Sequence, residues 1–289
     1  MTSAARLRRD GRPHDAVTLV AAALDEARSA PEATPFRDRV LLALTLADLN
    51  VDMNKRCAAA QLLRDEAAFA EDVLRLVRAT GSPDQVHIAT VGCYQLHDRA
   101  AQIALLDRQA PEIDVVDWVQ GESMTLAAQR GRVVLLEFWT PSCRSCSAMF
   151  PFLDELHRHH ADHGLTVIGV TSYRGDPPRE RDLIRRTIDD HAVAFGMGVT
   201  EGDRTQRRYG ARGVPTFALI DRAGIVRVAS SKPDKSALRQ AIAHLLDGAV
   251  PVAHYTEPAG TGADRTVQQI ANAMPGDSGP CPAGEEVIP

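Results

Sequence analysis

The chain has 289 residues, of which 44 % are hydrophobic and 25 % are charged, and its formal net charge is −5. This composition is ordinary for a globular protein of one or two domains. Basic residues are scattered among acidic ones, which argues against a nucleic-acid-binding protein, because that class needs a clustered basic face. No apolar run approaches the roughly 20 residues that are needed to span a bilayer.

The N-terminus has some features of an export signal. Four arginines between residues 6 and 12 resemble the basic start of a signal peptide, and the apolar run 16–24 has about the right length. However, acidic residues precede and follow this run, and no clear small-residue cleavage site is present. We therefore interpret the run as an amphipathic helix and expect a cytoplasmic protein, with export as the alternative.

Residues 1–108 are predicted to form a helical domain. Apolar residues recur at helical spacing, and helix breakers separate the periodic stretches at 11–13, 31–35, 50–54 and 81–83. This pattern predicts four or five antiparallel helices. Their paired rhythm is vaguely similar to that of tetratricopeptide or HEAT repeats, although no unit aligns on another. Cys57 and Cys93 lie in these helices, where we expect small, buried, free thiols.

Residues 111–247 alternate between strand and helix patterns. Strands are predicted at 133–136, 165–170, 216–220 and 225–229, and helices at about 143–160, 178–190 and 236–246. This β-α-β-α-β-β-α order predicts one mixed sheet that is covered by helices. The residues 248–289 are rich in Gly, Pro, Thr and Ala, which predicts a disordered tail.

Cys143 and Cys146 form a Cys-x-x-Cys pair at the start of a predicted helix. Side chains three residues apart lie on the same helix face, so the two sulfurs can meet. Unpaired N–H groups and the helix dipole at that end favour a thiolate on Cys143, and Arg144 adds a positive charge. These features predict that Cys143 is the nucleophile of thiol–disulfide exchange and that Cys146 resolves the mixed disulfide. Half of a zinc site is the competing interpretation, but no second Cys-x-x-Cys completes it.

Three motifs resemble those of the thioredoxin superfamily. The segment 136–146 is similar to its active-site strand and turn, Pro151 falls where its first long helix is kinked, and the segment 209–216 is similar to its cis-proline loop. Three further segments are similar to the TlpA/ResA branch, namely 131–136, 164–170 and 219–224. The resemblance covers 111–247. It implies an α/β thioredoxin-like mixed sheet with flanking helices, preceded by the all-α helical domain.

The resemblance also implies roles for individual residues. Pro215, if cis, would hold its backbone against the Cys143 sulfur, and the Val214 backbone would pair with an extended substrate peptide. Glu137 takes the place of the buried carboxylate beneath the disulfide. If burial raises its pKa, it could take a proton from Cys146; the alternative is an inactive carboxylate in solvent at a strand end.

Three further residues are candidates for substrate binding, namely Trp139, Arg144 and Thr216. Trp139 either caps the site or belongs to the core, and the sequence leaves both possibilities open. Ser142 departs from the resemblance, because many relatives have tryptophan at this position. The shape of the substrate surface therefore differs here.

Two other patterns in the sequence are compatible with a different chemistry. His159 and His163 lie one helical turn apart and could share a metal ion, although such a run is more often a solvated face. Thr140 stands three residues before Cys143, as in the Pro-x-x-x-Thr-x-x-Cys motif of peroxiredoxins, but Leu136 occupies the proline position.

The sequence therefore predicts a thiol–disulfide oxidoreductase without a cofactor or a metal. We expect it to act on protein thiols or disulfides, together with an electron donor or acceptor. A copper carrier or a partner-binding scaffold on a thioredoxin fold is the alternative. We also expect that 111–247 folds alone, and that the helical domain sets the choice of a docking partner and takes no part in the chemistry.

Overall fold

The computed structural model describes residues 2–231 and 233–248, so the predicted tail beyond 248 lies outside the described residues. Within them, helices fill the N-terminal part and a six-stranded sheet with flanking helices fills the rest. This confirms the predicted fold class. None of the helices in these ranges is long and apolar enough to cross a membrane.

The N-terminal part contains five helices in the described residues, and their bounds agree with the predicted breakers: α1 (Thr2–Arg9), α2 (Pro13–Ser29), α3 (Phe36–Asp52), α4 (Arg56–Thr80) and α5 (Pro83–Leu105). A capping box begins α5, because Ser82 Oγ accepts from the Gln85 N–H and Gln85 Oε1 accepts from the Ser82 N–H. Consecutive helices pack on each other around one apolar cluster.

The sheet consists of six strands: β1 (Val115–Gln120), β2 (Val133–Phe138), β3 (Leu165–Tyr173), β4 (Gly196–Glu201), β5 (Thr216–Ile220) and β6 (Val226–Ser230). Their order across the sheet is β1-β4-β3-β2-β5-β6. The strands β2, β3 and β4 are parallel, whereas β1 and β5 run antiparallel to their neighbours β4 and β2. Five helices accompany the sheet: α6 (Arg144–Ser147), α7 (Phe150–His160), α8 (Pro177–Asp190), α9 (Arg204–Arg208) and α10 (Lys235–Leu246).

The prediction missed strands β1 and β4. Two glycines give β4 a weak strand signal, yet they are what allows β1 to lie beside it. A Cβ on Gly198 would come within 2.8 Å of Val115 Cγ2, and a Cβ on Gly196 would lie 3.4 Å from Trp118 Cζ3. The side chains of β1 therefore occupy the space that β4 leaves empty.

The strand β2 separates two apolar clusters, because all six of its residues are buried and successive side chains point to opposite faces. On one face, Val133 and Leu135 pack with α7 and α10. On the other face, Leu136 belongs to a cluster that also contains Leu105 of α5. The helical part and the sheet consequently share a core.

Polar contacts also join the helical part to the sheet. Arg99 of α5 donates from Nη1 to the carbonyl oxygen of Ala229 in β6, at 3.1 Å. Asp107 accepts from Arg56 of α4 and from Arg227 of β6. The composition change near residue 108 thus marks a change from helices to a sheet. The two parts contact each other through apolar and polar side chains.

We expect Gly210→Ala to destabilise the protein more than Gly202→Ala. Both glycines have positive φ, +59° and +62°, so alanine costs about 1–2 kcal/mol of backbone strain at either site. A Cβ at position 210 would also lie 2.1 Å from the Asp98 carbonyl oxygen of α5, whereas nothing lies within 4 Å at position 202. The extra clash should add about 1–3 kcal/mol.

Urea unfolding of the two variants measures this difference. An equal loss in both would mean that α5 does not approach Gly210 this closely in solution.

Candidate active site

Cys143 and Cys146 are joined by a disulfide, and their Cα atoms lie 5.3 Å apart. Cys143 is the N-cap of α6, and its Sγ accepts from the Cys146 N–H at 3.1 Å. Cys143 is half-buried, whereas Cys146 is completely buried. An external thiol or disulfide can therefore reach the sulfur of Cys143 but not that of Cys146.

The helix predicted from 143 to 160 is interrupted, and this is a correction. The helix α6 ends at Ser147 and α7 begins at Phe150, with Pro151 in its first turn. Proline has no N–H, so it cannot donate to the carbonyl of Ser147 four residues earlier, and a continuous helix would lose that bond. The N–H groups of a single turn, rather than the dipole of a long helix, therefore act on the Cys143 sulfur.

Glu137 is fully buried in β2. Because Val133, Leu135 and Trp139 pack in the same cluster as Cys146, strand alternation places Glu137 on the face that the disulfide occupies. Neither carboxyl oxygen has a hydrogen-bond partner among the described residues. Burial raises the pKa of Glu137 well above its ordinary value, because the charged form is poorly solvated there. The alternative of a solvated strand-end carboxylate does not fit this burial.

Trp139 belongs to the core. Its side chain is only 2 % exposed, and its ring meets the Phe150 ring edge-on, with 5.3 Å between the centroids. Of the two possibilities that the sequence left open, a cap over the site and a core position, this burial favours the core. The expected contact of the Trp139 side chain with substrate does not fit this position. Arg144, in contrast, is exposed at the start of α6.

The loop 209–215 reaches the same edge of the sheet. The Val214–Pro215 bond is cis, as the resemblance implied. Because Phe138 pairs with Thr216, the loop meets the end of β2, where the chain turns toward the cysteines. Val214 is half-buried and packs against the cluster that Cys143 also contacts.

Thr216 has a different role from the predicted one. It is buried, and its Oγ1 donates to the carbonyl oxygen of Gly213 at 2.7 Å. The hydroxyl therefore closes the loop and does not face a substrate.

The sequence analysis missed the contacts that α5 makes with this loop. Asp98 accepts from the Arg212 side chain and from the Gly213 N–H, and Gln102 donates to the carbonyl oxygen of Gly210. A signal was present, since Asp98, Gln102 and Leu105 are spaced at i, i+4 and i+7 and form a second buried face of α5. Sequence periodicity alone does not tell what such a face meets.

His159 of α7 and His163 of the following turn bond to nearby carbonyl groups. His159 Nδ1 donates to the Glu155 carbonyl oxygen at 2.8 Å, and His163 Nδ1 donates to that of His159 at 3.2 Å. In the part of the chain that the structure describes, no three His, Cys, Asp or Glu side chains lie together as a metal site.

Two cysteines lie in the helical part. Cys93 is a buried free thiol, as predicted, and burial raises its pKa. Cys57 is half-buried and disulfide-bonded, so the prediction of a buried free thiol is wrong there.

The strand order, the Cys-x-x-Cys disulfide after the central strand and the adjacent cis-proline loop define a thioredoxin-like domain. Residues 106–229 match the AhpC/TSA family. This part of the chain is therefore similar to that family.

Similar proteins include several that are named for thiol–disulfide chemistry. The thiol-disulfide oxidoreductase ResA of Halalkalibacterium halodurans is 29 % identical over 116 residues, which cover 39 % of this chain and 62 % of that protein. The protein SUPPRESSOR OF QUENCHING 1 of Arabidopsis thaliana is 31 % identical over 113 residues, which cover 38 % of this chain and 11 % of that protein. The chain thus spans less than two thirds of the length of these relatives.

Among solved structures, a thiol-disulfide isomerase from Corynebacterium glutamicum is 26 % identical and superposes with a TM-score of 0.43. The superposition covers 47 % of this chain and 96 % of that chain.

We expect the oxidised protein to lose stability as the pH rises above the ordinary pKa of glutamate, and Glu137→Gln to remove this loss. The unfolded carboxyl ionises near its ordinary value of 4.5, whereas burial raises the pKa of the folded carboxyl well above that value. Between the two pKa values the folded state holds one more proton, so the free energy of unfolding declines by about 1.4 kcal/mol per pH unit.

Urea unfolding at a series of pH values from weakly acidic to weakly basic measures this slope. Glu122→Gln, at an exposed position, serves as the control and should keep the wild-type slope. Parallel pH dependences of the wild type and Glu137→Gln would contradict the burial of an isolated carboxyl.

Proposed function

We propose that the protein is a thiol–disulfide oxidoreductase that cycles Cys143 and Cys146 between a disulfide and a dithiol. The observation that carries the proposal is the disulfide after β2, with one half-buried sulfur and one completely buried sulfur. The similarity to ResA over the same segment supports it. The substrate class is a protein thiol or disulfide, together with an electron donor or acceptor.

In the reducing direction, the Cys143 thiolate attacks one sulfur of a substrate disulfide. The substrate S–S bond breaks, a mixed disulfide forms on Cys143, and one substrate thiolate leaves. Cys146 then attacks the Cys143 sulfur, which releases the second substrate thiolate and closes the Cys143–Cys146 bond. Two electrons pass from the cysteine pair to the substrate, and the oxidising direction runs these steps in reverse.

Glu137 moves the proton of Cys146 in this proposal. When the disulfide opens, negative charge develops on a sulfur that is completely buried, which is costly in a medium of low polarity. The protonated carboxyl on the same face donates a proton to that sulfur. In the reverse direction the carboxylate removes the proton before Cys146 attacks.

The cis-proline loop orients the substrate in this proposal. Val214 is half-buried and packs against the same apolar cluster as Cys143. In the proposal its backbone pairs with an extended peptide whose cysteine approaches the Cys143 sulfur. Pro215 is buried directly before the first residue of β5, and it fixes the position of the Val214 backbone.

We expect Cys143→Ser to abolish insulin reduction with dithiothreitol. Pre-reduced Cys146→Ser, mixed with insulin after the dithiothreitol is removed, should accumulate a mixed disulfide that mass spectrometry detects. The reason is that only Cys143 is accessible to the substrate, and only Cys146 can release it. Cys93→Ala is the control and should retain activity, because Cys93 lies in the core of the helical part.

Iodoacetamide should alkylate Cys143 faster than Cys146 in the reduced protein at neutral pH. Equal rates would contradict this assignment. Peroxide consumption in place of insulin reduction would favour the peroxidase alternative, and copper binding without exchange would favour the carrier.

We expect Glu137→Gln to slow the opening of the Cys143–Cys146 disulfide by dithiothreitol by about 100-fold, because a glutamine cannot transfer a proton to Cys146. Rapid mixing with an acid quench measures the rate. After correction for the ionisation of dithiothreitol, the wild-type rate should fall as Glu137 deprotonates, and the variant should lack this fall. An unchanged rate and pH profile would remove Glu137 from the mechanism.

A further inference from the structure

We propose that Asp98, in helix α5 outside the thioredoxin-like segment, is a positioning residue that holds the cis-proline loop in place for substrate binding. The inference rests on the proposed function, since it concerns the loop that would align the substrate with Cys143.

Asp98 bonds two consecutive residues of the loop. Its Oδ1 accepts from Arg212 Nε at 2.8 Å, and its Oδ2 accepts from the Gly213 N–H at 2.9 Å. The side chain is buried, so water competes weakly for these charge-assisted bonds. The two bonded residues directly precede Val214 and Pro215, so a shift of Asp98 would move the substrate-aligning backbone.

The same helix contacts the loop in the turn before and the turn after Asp98. One turn earlier, the Arg212 guanidinium lies over the Tyr94 ring, 4.8 Å from its centroid. One turn later, Gln102 Nε2 donates to the Gly210 carbonyl oxygen at 2.7 Å. Tyr94, Asp98 and Gln102 are spaced by four residues, so they form one row along α5. We call this row the α5 clamp.

The clamp supplies an anchor that the sheet does not. At its C-terminal end the loop continues into β5, whose pairing begins at Thr216. At its N-terminal end it follows α9, a helix of only five residues. The segment between them is therefore fixed on one side by the sheet and on the other by α5.

A fixed loop matters for thiol–disulfide exchange because the Cys143 sulfur must align with both sulfur atoms of the substrate disulfide. In the proposed reaction, the Val214 backbone would hold a peptide so that its sulfur approaches the Cys143 sulfur. A misplacement of about 1 Å can lower a rate by up to about 100-fold. A small disulfide that makes no backbone pairing would be unaffected by the position of Val214. The clamp should therefore affect large and small substrates differently.

Asp98→Asn tests the proposal, because it keeps the size of the side chain but places an N–H donor where one of the two donors now binds. The matched control is Glu66→Gln, a buried carboxylate of α4 that accepts from Arg28 and Arg39 within the helical part. Both variants lose a buried carboxylate with two donors, and only one of these carboxylates touches the loop.

Two readouts are measured. The first is hydrogen–deuterium exchange over 209–217, which should become about tenfold faster in Asp98→Asn and stay unchanged in Glu66→Gln. The second is insulin reduction, for which we expect KM to rise about fivefold with kcat within about twofold of wild type. The reaction of Cys143 with bis(2-hydroxyethyl) disulfide should stay within about twofold in both variants.

The proposal would be overturned if Asp98→Asn had the hydrogen–deuterium exchange rate over 209–217 and the KM of the wild type. Equal changes of these two quantities in Asp98→Asn and Glu66→Gln would also overturn it. If Asp98→Asn does not fold, Gln102→Met removes the donor to Gly210 and should change both readouts in the same direction. If the wild type reduces no disulfide, the proposed function fails, while the exchange measurement still tests whether Asp98 holds the loop.

Discussion

The burial of β2 on both faces is the constraint on which the site depends. Its neighbours β3 and β5 pair with it along its length, up to Phe138. The chain therefore becomes free of the sheet only beyond the C-terminal end of β2, at one edge of the sheet. The chain that leaves this edge carries Cys143, and the loop that enters β5 at the same edge carries Pro215. A carboxyl within such a strand costs free energy if it is ionised, and this burial raises the pKa of Glu137.

The helical part extends this constraint beyond the sheet. Leu105 packs in the cluster on the second face of β2, and the α5 clamp fixes the loop next to the first. A composition change near residue 108 predicted two separate units, with chemistry in only one of them. Asp98 and Gln102 are buried where they bond to the loop, so the two parts are in direct contact there.

The features that the sequence could predict are those with a local signal. The strand β2 is a continuous apolar run, and the cysteine pair is a compact motif, so both were found. The strand β4 was missed because its two glycines weaken the strand signal. They leave room for the side chains of β1, and the sequence of β4 alone does not show that β1 lies beside it. The break between α6 and α7 follows from Pro151, whose missing N–H interrupts a segment with an otherwise continuous helical pattern. Asp98 lies 114 residues from Arg212, and no periodicity links them.

The site therefore divides into a local and a distant component. The groups that are proposed to react, Glu137, Cys143 and Cys146, lie within ten residues of chain, at one strand end and one helical turn. The loop that is proposed to align the substrate is bonded to α5, which is distant in sequence. Changes in the first component act on bond-making steps for every substrate. Changes in the second component should affect polypeptide substrates more than small disulfides. Polypeptides pair with the loop backbone in this proposal, whereas small disulfides do not.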